Sequence, residues 1–371
     1  STGEVDPNWR ITLAVTGSTA RPVARTIDIE GDKLYIGGNF TRITGIDGTT
    51  KRTGRIARAT LSTSRADGAF LPNIDGIVYD IDATSDRVYV VGDFYYVDGV
   101  WSIGMAALKS ADGSRVPGLK PWVRSWVATP EASHQQAILE VGNDVWQGGS
   151  QHNRQVYNRR DYSLIRSCIS HPWGDAQAFA HLDGIVYSGS HANGESRLYR
   201  DAFRWPELTG ATSSKPVRWM AAFDTNAHEQ ISWYPDIGTH HGEGAWALFA
   251  DSTDCLWAGG DFNRGSDLGS GRRYVGGFAK FCTQDDVAPS IPTGATATAA
   301  NGGVNLAWSA SKDDRGGPVR YEVLKNDRVI AEALSSTTYR DPNGSSDDRY
   351  FVRAVDEGSN RSATTSVLTA D

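Results

Sequence analysis

Apolar and polar positions in the first 282 residues spell one phrase five times. Leu34-Tyr35-Ile36-Gly37-Gly38-Asn39-Phe40 returns as Val88-Tyr89-Val90-Val91-Gly92-Asp93-Phe94. Shorter forms follow in Val145-Trp146-Gln147-Gly148-Gly149 and Val186-Tyr187-Ser188-Gly189-Ser190, and the last copy is Leu256-Trp257-Ala258-Gly259-Gly260-Asp261-Phe262. Each copy opens on a large apolar residue beside an aromatic one, the pattern of a half-buried strand. Glycine or serine closes it, and glycine permits tight bends and close backbone approach. A second apolar segment precedes each copy, at residues 23–29, 77–83, 137–141, 176–182 and 245–250, and a short polar turn joins the two. Strand, Gly/Asp/Asn turn, strand predicts a β-hairpin. Residues 55–61, 103–108 and 274–281 predict a third strand, and residues 69–72 and 116–122 a fourth. The copies start at 34, 88, 145, 186 and 256, an irregular spacing near the propeller-blade length of about 40–50 residues. The expected fold is all-β: a five-bladed β-propeller, its blades set radially around a channel.

Ring closure and a second domain are also expected. The fifth unit has no fourth strand before Pro289, whereas Val5-Asp6-Pro7-Asn8-Trp9-Arg10-Ile11-Thr12-Leu13 is similar to Ala66-Asp67-Gly68-Ala69-Phe70-Leu71-Pro72. Residues near 5–16 should therefore supply the outer strand of the last blade and close the circle. The propeller is assigned to residues 1–284 and a Pro-bearing linker to 285–292. Residues 293–371 carry strand-like runs at short spacing, which predict a small β-sandwich.

The phrase ending Gly37-Gly38-Asn39-Phe40, followed downstream by Ala66-Asp67-Gly68, and its copy ending Gly92-Asp93-Phe94 resemble the delta-60 β-propeller repeats of secreted bacterial proteins. Residues 34–72 and 88–119 carry the resemblance, while Gly149-Ser150-Gln151 and Gly189-Ser190-His191 depart from it. It implies fold and export and says little about activity. In the last segment, Val304-Asn305-Leu306-Ala307-Trp308, Tyr321-Glu322-Val323 and Tyr350-Phe351-Val352-Arg353-Ala354-Val355-Asp356 resemble a fibronectin type III domain. Such domains space or tether a partner domain.

Composition narrows the partners. A formal charge of −7 argues against nucleic acid, and no apolar run is long enough to span a bilayer. A monomer is expected. Cys255 opens the second strand of the last unit and Cys282 ends its third, so the two are expected to pair in an exported protein. Cys168 is read as a buried small apolar residue.

Candidate chemistry sits in the loops at one mouth of the channel. The position entering the innermost strand holds Pro22, Gly76 (beside Asp75), His134, Asp175 and Glu243, and the position after the glycine phrase holds Asn39, Asp93, Ser150, His191 and Asp261. All eight histidines lie between 134 and 241, so an asymmetric site is expected on a symmetric scaffold. Three readings compete. In the first, a glycan is cleaved: Asp175 and Glu243 serve as acid and base in hydrolysis, or His134 or His191 removes a proton beside a uronate. Trp173 and Trp233 could give sugars a face to stack on, with His171, His191, His240, His241 and Asp75 as further binding residues. In the second, some of His134, His171, His191 and His240 bind a divalent metal, although no tight ligand spacing occurs. In the third, the mouth binds a poly- or oligosaccharide without turnover. Asp93 and Asp261 are read as turn-formers, His181 as a packed or snorkelling side chain, and His228 as part of a solvated loop.

Overall fold

The computed structural model describes the chain apart from residues 1–5, 18, 120–133, 206, 234, 268–270, 283–286, 301, 315–316, 357 and 371. Every regular element among the described residues is a strand. The chain divides into two compact units, residues 1–249 with 257–279, and residues 250–256 with 280–371.

The expected hairpins form, each as the start of an antiparallel sheet. The first sheet orders Val23–Glu30, Lys33–Asn39, Ile56–Thr60 and Arg65–Ala66; the second orders Ile77–Ala83, Arg87–Asp93, Met105–Lys109 and Arg115–Val116. The third begins with Gln135–Val141, Asp144–Gly149, Asn153–Asn158 and Leu164–His171. Ala176–Leu182, Ile185–Ser190 and Met220–Asp224 make the fourth, and Ala245–Ala250, Cys255–Gly260 and Phe278–Cys282 the fifth. Tyr35, Tyr89 and Trp146, the aromatics of the first three copies of the phrase, are buried between sheets, whereas Tyr187 is half-buried and Trp257 exposed. Cys255 and Cys282 are bonded to each other, and Cys168 is buried in the core of the third and fourth sheets.

Three expectations about strands are corrected. The N-terminal segment does not close a ring: Thr12–Ala14 pairs antiparallel with Arg42–Thr44, itself paired with Thr50–Arg52. Trp9, Ile11 and Leu13 cover the apolar cluster of Leu34, Ile36, Phe40 and Ile43, and Trp9 Nε1 donates to the Leu61 carbonyl at 2.6 Å. Trp9→Ala should therefore lower unfolding free energy by about 2 kcal/mol, less than a fully buried Trp, as read from urea unfolding. Second, the fourth strand of the first sheet is Arg65–Ala66, not residues 69–72, because Phe70 turns into the core against Tyr35 at 5.3 Å. Third, an insertion is expected in the fourth unit around residues 199–222, yet only its end, where Met220–Asp224 begins, joins the fourth sheet. Arg197–Arg200 pairs with Leu164–His171 and Ser213–Pro216 follows, so the third sheet has six strands. The expected strand at 116–122 is formed only as Arg115–Val116, and its residues 120–122 lie outside the described residues.

Carboxylates join the innermost strands. Asp28 accepts from the Ala83 amide at 2.6 Å, Asp80 from Ile138 at 3.0 Å, and Asp82 from Glu140 at 2.7 Å. Each reaches from one sheet to the backbone of the next. Burial pushes Asp80 and Asp82 up to about 7. A folded value above the unfolded one means that the folded chain holds the extra proton, so stability falls as pH rises from about 4 to about 7. Asp80→Asn keeps an acceptor for Ile138 and removes the buried charge. It should stabilise the chain by about 2 kcal/mol at pH 8 and by little at pH 5, measured by urea unfolding at both.

In the C-terminal unit, Thr293–Ala300, Gly303–Ser309 and Thr338–Asp341 form one sheet, and Arg328–Leu334, Arg320–Lys325 and Tyr350–Val355 another. Both bury side chains in one core, including Val304, Leu306, Trp308, Tyr321, Val323, Tyr350 and Val352. Residues 364–369, expected as a strand, contribute a single bridge from Leu368 to Tyr350.

Candidate functional site

Alternation along a strand sends successive side chains to opposite faces, and one extra residue breaks it. The first strand of each of the first four sheets carries such a break. Register shifts between Ala24 and Thr26, Val78 and Asp80, Gln135 and Ala137, and Ala176 and Ala178. The extra residues are Arg25, Tyr79, Gln136 and Gln177. In the fifth sheet the Asp261 amide bonds Gly244 as the Ser150 amide bonds His134, which makes Trp246 the equivalent of Gln136. These five side chains line a single cavity of about 600 Å³, together with Val23, Ala24, His134, His191 and Glu243. Five first strands thus each deliver one residue to a common space, four of them at a register break.

The walls differ in chemistry around the ring. Arg25 lies over the Tyr79 ring at 5.0 Å, and Tyr79 meets His134 edge-on at 5.8 Å. Burial raises the Tyr79 phenol above its ordinary value, with Asp93 adding to the effect, so it stays protonated. Burial also lowers His134, which favours the neutral imidazole. The Gln136 amide donates to Asp175 Oδ2 at 3.3 Å and approaches His134 Nε2 at 3.5 Å. An amide nitrogen cannot accept, so His134 Nε2 carries the lone pair. On the other wall the Gln177 amide meets His191 Nε2, and His191 Nδ1 stands 4.0 Å from Glu243 Oε2. Trp246 is largely exposed and presents a flat indole.

Asp175 sits behind the cavity. His152 Nε2 lies 3.4 Å from Asp175 Oδ1; burial raises Asp175 to about 7 and lowers His152 to about 4. Arg154, buried in the same sheet, donates to Ser188 and Ser170 and holds part of the carboxylate character of Asp175.

Of the residues singled out from the sequence, His134, His191 and Glu243 line the cavity. The rest are elsewhere. His171 packs beside Tyr199 and Trp205, at 6.5 and 6.3 Å. Trp173 is exposed away from the described lining, and Trp233 packs on Tyr187 at 5.0 Å. Asp75 accepts from the Tyr95 and Tyr96 amides, both at 2.9 Å, and shapes a turn. His240 and His241 meet edge-on at 4.3 Å in an exposed turn whose amides Asp261 accepts. The four candidate metal ligands do not converge: His134 and His191 share the cavity, His171 and His240 do not, and no three metal-ligating side chains cluster among the described residues. His181 is exposed. His228 is no solvated loop residue, because it pairs with Asp144 at 2.7 Å beside Trp146.

Comparison with known proteins bears on one end of the chain. Residues 289–369 match the family described as the rhamnogalacturonan I lyase beta-sheet domain. No protein with a curated description matches the chain. Among solved structures, the extracellular domain of a one component system from B. thetaiotaomicron aligns at 9% identity and a TM-score of 0.44, covering 96% of this chain and 52% of its own. This chain thus spans about half the length of that protein. BamB from Moraxella catarrhalis aligns at 10% identity and a TM-score of 0.39, covering 96% and 100%. PorZ, a surface component of the type-IX secretion system of Porphyromonas gingivalis, aligns at 12% and 0.39, covering 94% and 45%. No helix among the described residues is long and apolar enough to cross a membrane.

Proposed function

We propose that the chain is an extracellular carbohydrate-active protein: a five-bladed β-propeller that cleaves an acidic polysaccharide by β-elimination, followed by a fibronectin type III-like sandwich. The single observation that carries this reading is the chemistry of the cavity wall. A guanidinium, a phenol and a neutral imidazole lie side by side as Arg25, Tyr79 and His134. Elimination at a uronate needs those three functions. Arg25 pairs with the uronate carboxylate and makes the adjacent C5 proton more acidic. His134 Nε2 takes that proton, and its electrons form the C4–C5 double bond as the C4–O bond breaks. Tyr79 donates its phenol proton to the leaving oxygen. Gln136, Gln177 and Trp246 supply the amide hydrogen bonds and stacking face on which sugar recognition rests. Asp175 accepts from the Gln136 amide, and Glu243 stands 4.0 Å from His191.

Hydrolysis needs two carboxyl groups across the scissile bond. Glu243 is the one carboxylate among the described lining residues, so elimination fits better. The match of residues 289–369 to a lyase-associated domain agrees with this choice.

Product analysis tests it. The protein is incubated with neutral and uronate polysaccharides, and each reaction is read for new reducing ends and for ultraviolet absorbance of an unsaturated uronate. Both signals on a uronate polymer are expected. Reducing ends without absorbance would make the protein a hydrolase. Silence on every polymer with retained binding to an immobilised glycan would leave a lectin-like module that binds without turnover.

A further inference from the structure

The repeat makes burial comparable from sheet to sheet, and it fails at one place. Two residues after the bulge stand Ile27, Ile81, Ile138 and Phe179. The last three are 5%, 3% and 9% exposed, each covered by its neighbouring sheets, while Ile27 is 64% exposed. On the fifth sheet, Phe278 follows Gly277, whose carbonyl accepts from the Gly260 amide, as Ile56 follows Arg55, Met105 follows Gly104 and Met220 follows Trp219. Ile56, Met105 and Met220 are fully buried, yet Phe278 is 66% exposed, and Phe249 on the first strand of that sheet is 65% exposed. Val23 and Ile29 on the first sheet are exposed as well. Among the described residues, nothing covers the face of the fifth sheet that should meet a following sheet, nor the face of the first sheet that should meet a preceding one.

Both bare flanks reach the cavity. Val23, Ala24 and Arg25 come to it from the first sheet, Glu243 and Trp246 from the fifth. A cavity of about 600 Å³ holds a few sugar residues, not a polymer. A long chain therefore presents an internal stretch to it. We propose that the gap between the first and fifth sheets is the side entrance through which an internal stretch of an acidic polysaccharide reaches the cavity, and that the two bare faces close over it. This rests on the polysaccharide reading above. Arg25 and Trp246 flank the gap, so an entering uronate meets a cation on one side and an indole on the other. Closure repeats an interface the chain already builds between its other sheets, with Ile27 and Ile29 against Phe249 and Phe278. Attack at internal positions follows, so early products should be long.

A disulfide lock tests the closure. Asp28 reaches Ala83 and Asp82 reaches Glu140 in the next sheet, and the same spacing sets Phe249 opposite Ile29. An Ile29→Cys, Phe249→Cys variant is oxidised and run on non-reducing gels with peptide mapping. Its native pair is already bonded and Cys168 is buried. The expected result is an intramolecular crosslink. The locked protein should lose binding of rhamnogalacturonan I polymer at least tenfold, keep binding of its short digest, and recover with reductant. Absence of the crosslink, or crosslinks only between two copies, overturns closure. A crosslink that leaves polymer binding unchanged overturns the entrance. If the reduced variant and the unmodified protein bind neither polymer nor digest, the polysaccharide reading itself falls and the entrance with it, whatever the crosslink shows.

Discussion

Replacing His134 by alanine should cut turnover of a uronate polymer by about 10²–10⁴-fold, the range for loss of a general base. The side chain lines the cavity, edge-on to Tyr79, with Nε2 carrying the lone pair. Its burial lowers the pKa from 6.5, so the neutral form persists to more acid pH than in a free imidazole. The acid limb of kcat/KM should therefore fall below pH 6.5 in the unmodified protein. His134→Ala should flatten that limb as it lowers the rate. His191→Ala, on the opposite wall, should raise KM more than it lowers kcat. An equal loss in both variants with an unchanged pH profile would remove His134 from the chemistry. Far-ultraviolet circular dichroism and a thermal midpoint guard against simple unfolding.

Loss of the Cys255–Cys282 bond should cost about 3–4 kcal/mol of stability. The bond closes a loop of 27 residues' separation, and loop-closure entropy at that length gives roughly this figure. It joins the second strand of the fifth sheet to the third, and the described part of that sheet has no fourth. A Cys255→Ser, Cys282→Ser variant should therefore unfold at lower urea, and reductant should shift the unmodified protein to the same midpoint. Equal midpoints in the unmodified protein with and without reductant would show that the sheet is held by packing alone.

The strands were legible because burial on alternate residues leaves a period of two, and because the same phrase recurs with its glycine and aromatic positions. The site was legible only in part. A bulge adds a residue that alternation does not announce, so Gln136 and Gln177 passed as ordinary strand polar residues. One visible trace is Gln135-Gln136, two consecutive amides of which one is buried and the other lines the cavity. The same extra residues shifted the mouth column. Val23, Ile77 and Gly244 are the equivalents of His134 and Asp175, each one place after the sequence-aligned Pro22, Gly76 and Glu243. Long-range partners left no local mark: nothing near His228 names Asp144, 84 residues away, as its partner. The N-terminal segment was misplaced for a different reason. Its likeness to residues 66–72 reflects a shared need for an aromatic anchor, which Trp9 meets on the first sheet and not the fifth.

The bulge residues have one more consequence. Each is excluded from the hydrogen-bond ladder of its own strand, so its side chain can change with little effect on the pairing that builds the sheet. Recognition and folding are then written at different positions of the same strand. If the cavity is the binding site proposed above, a chain of this design could acquire a new ligand through Arg25, Tyr79, Gln136 or Gln177 while keeping the strand pairing that builds its scaffold.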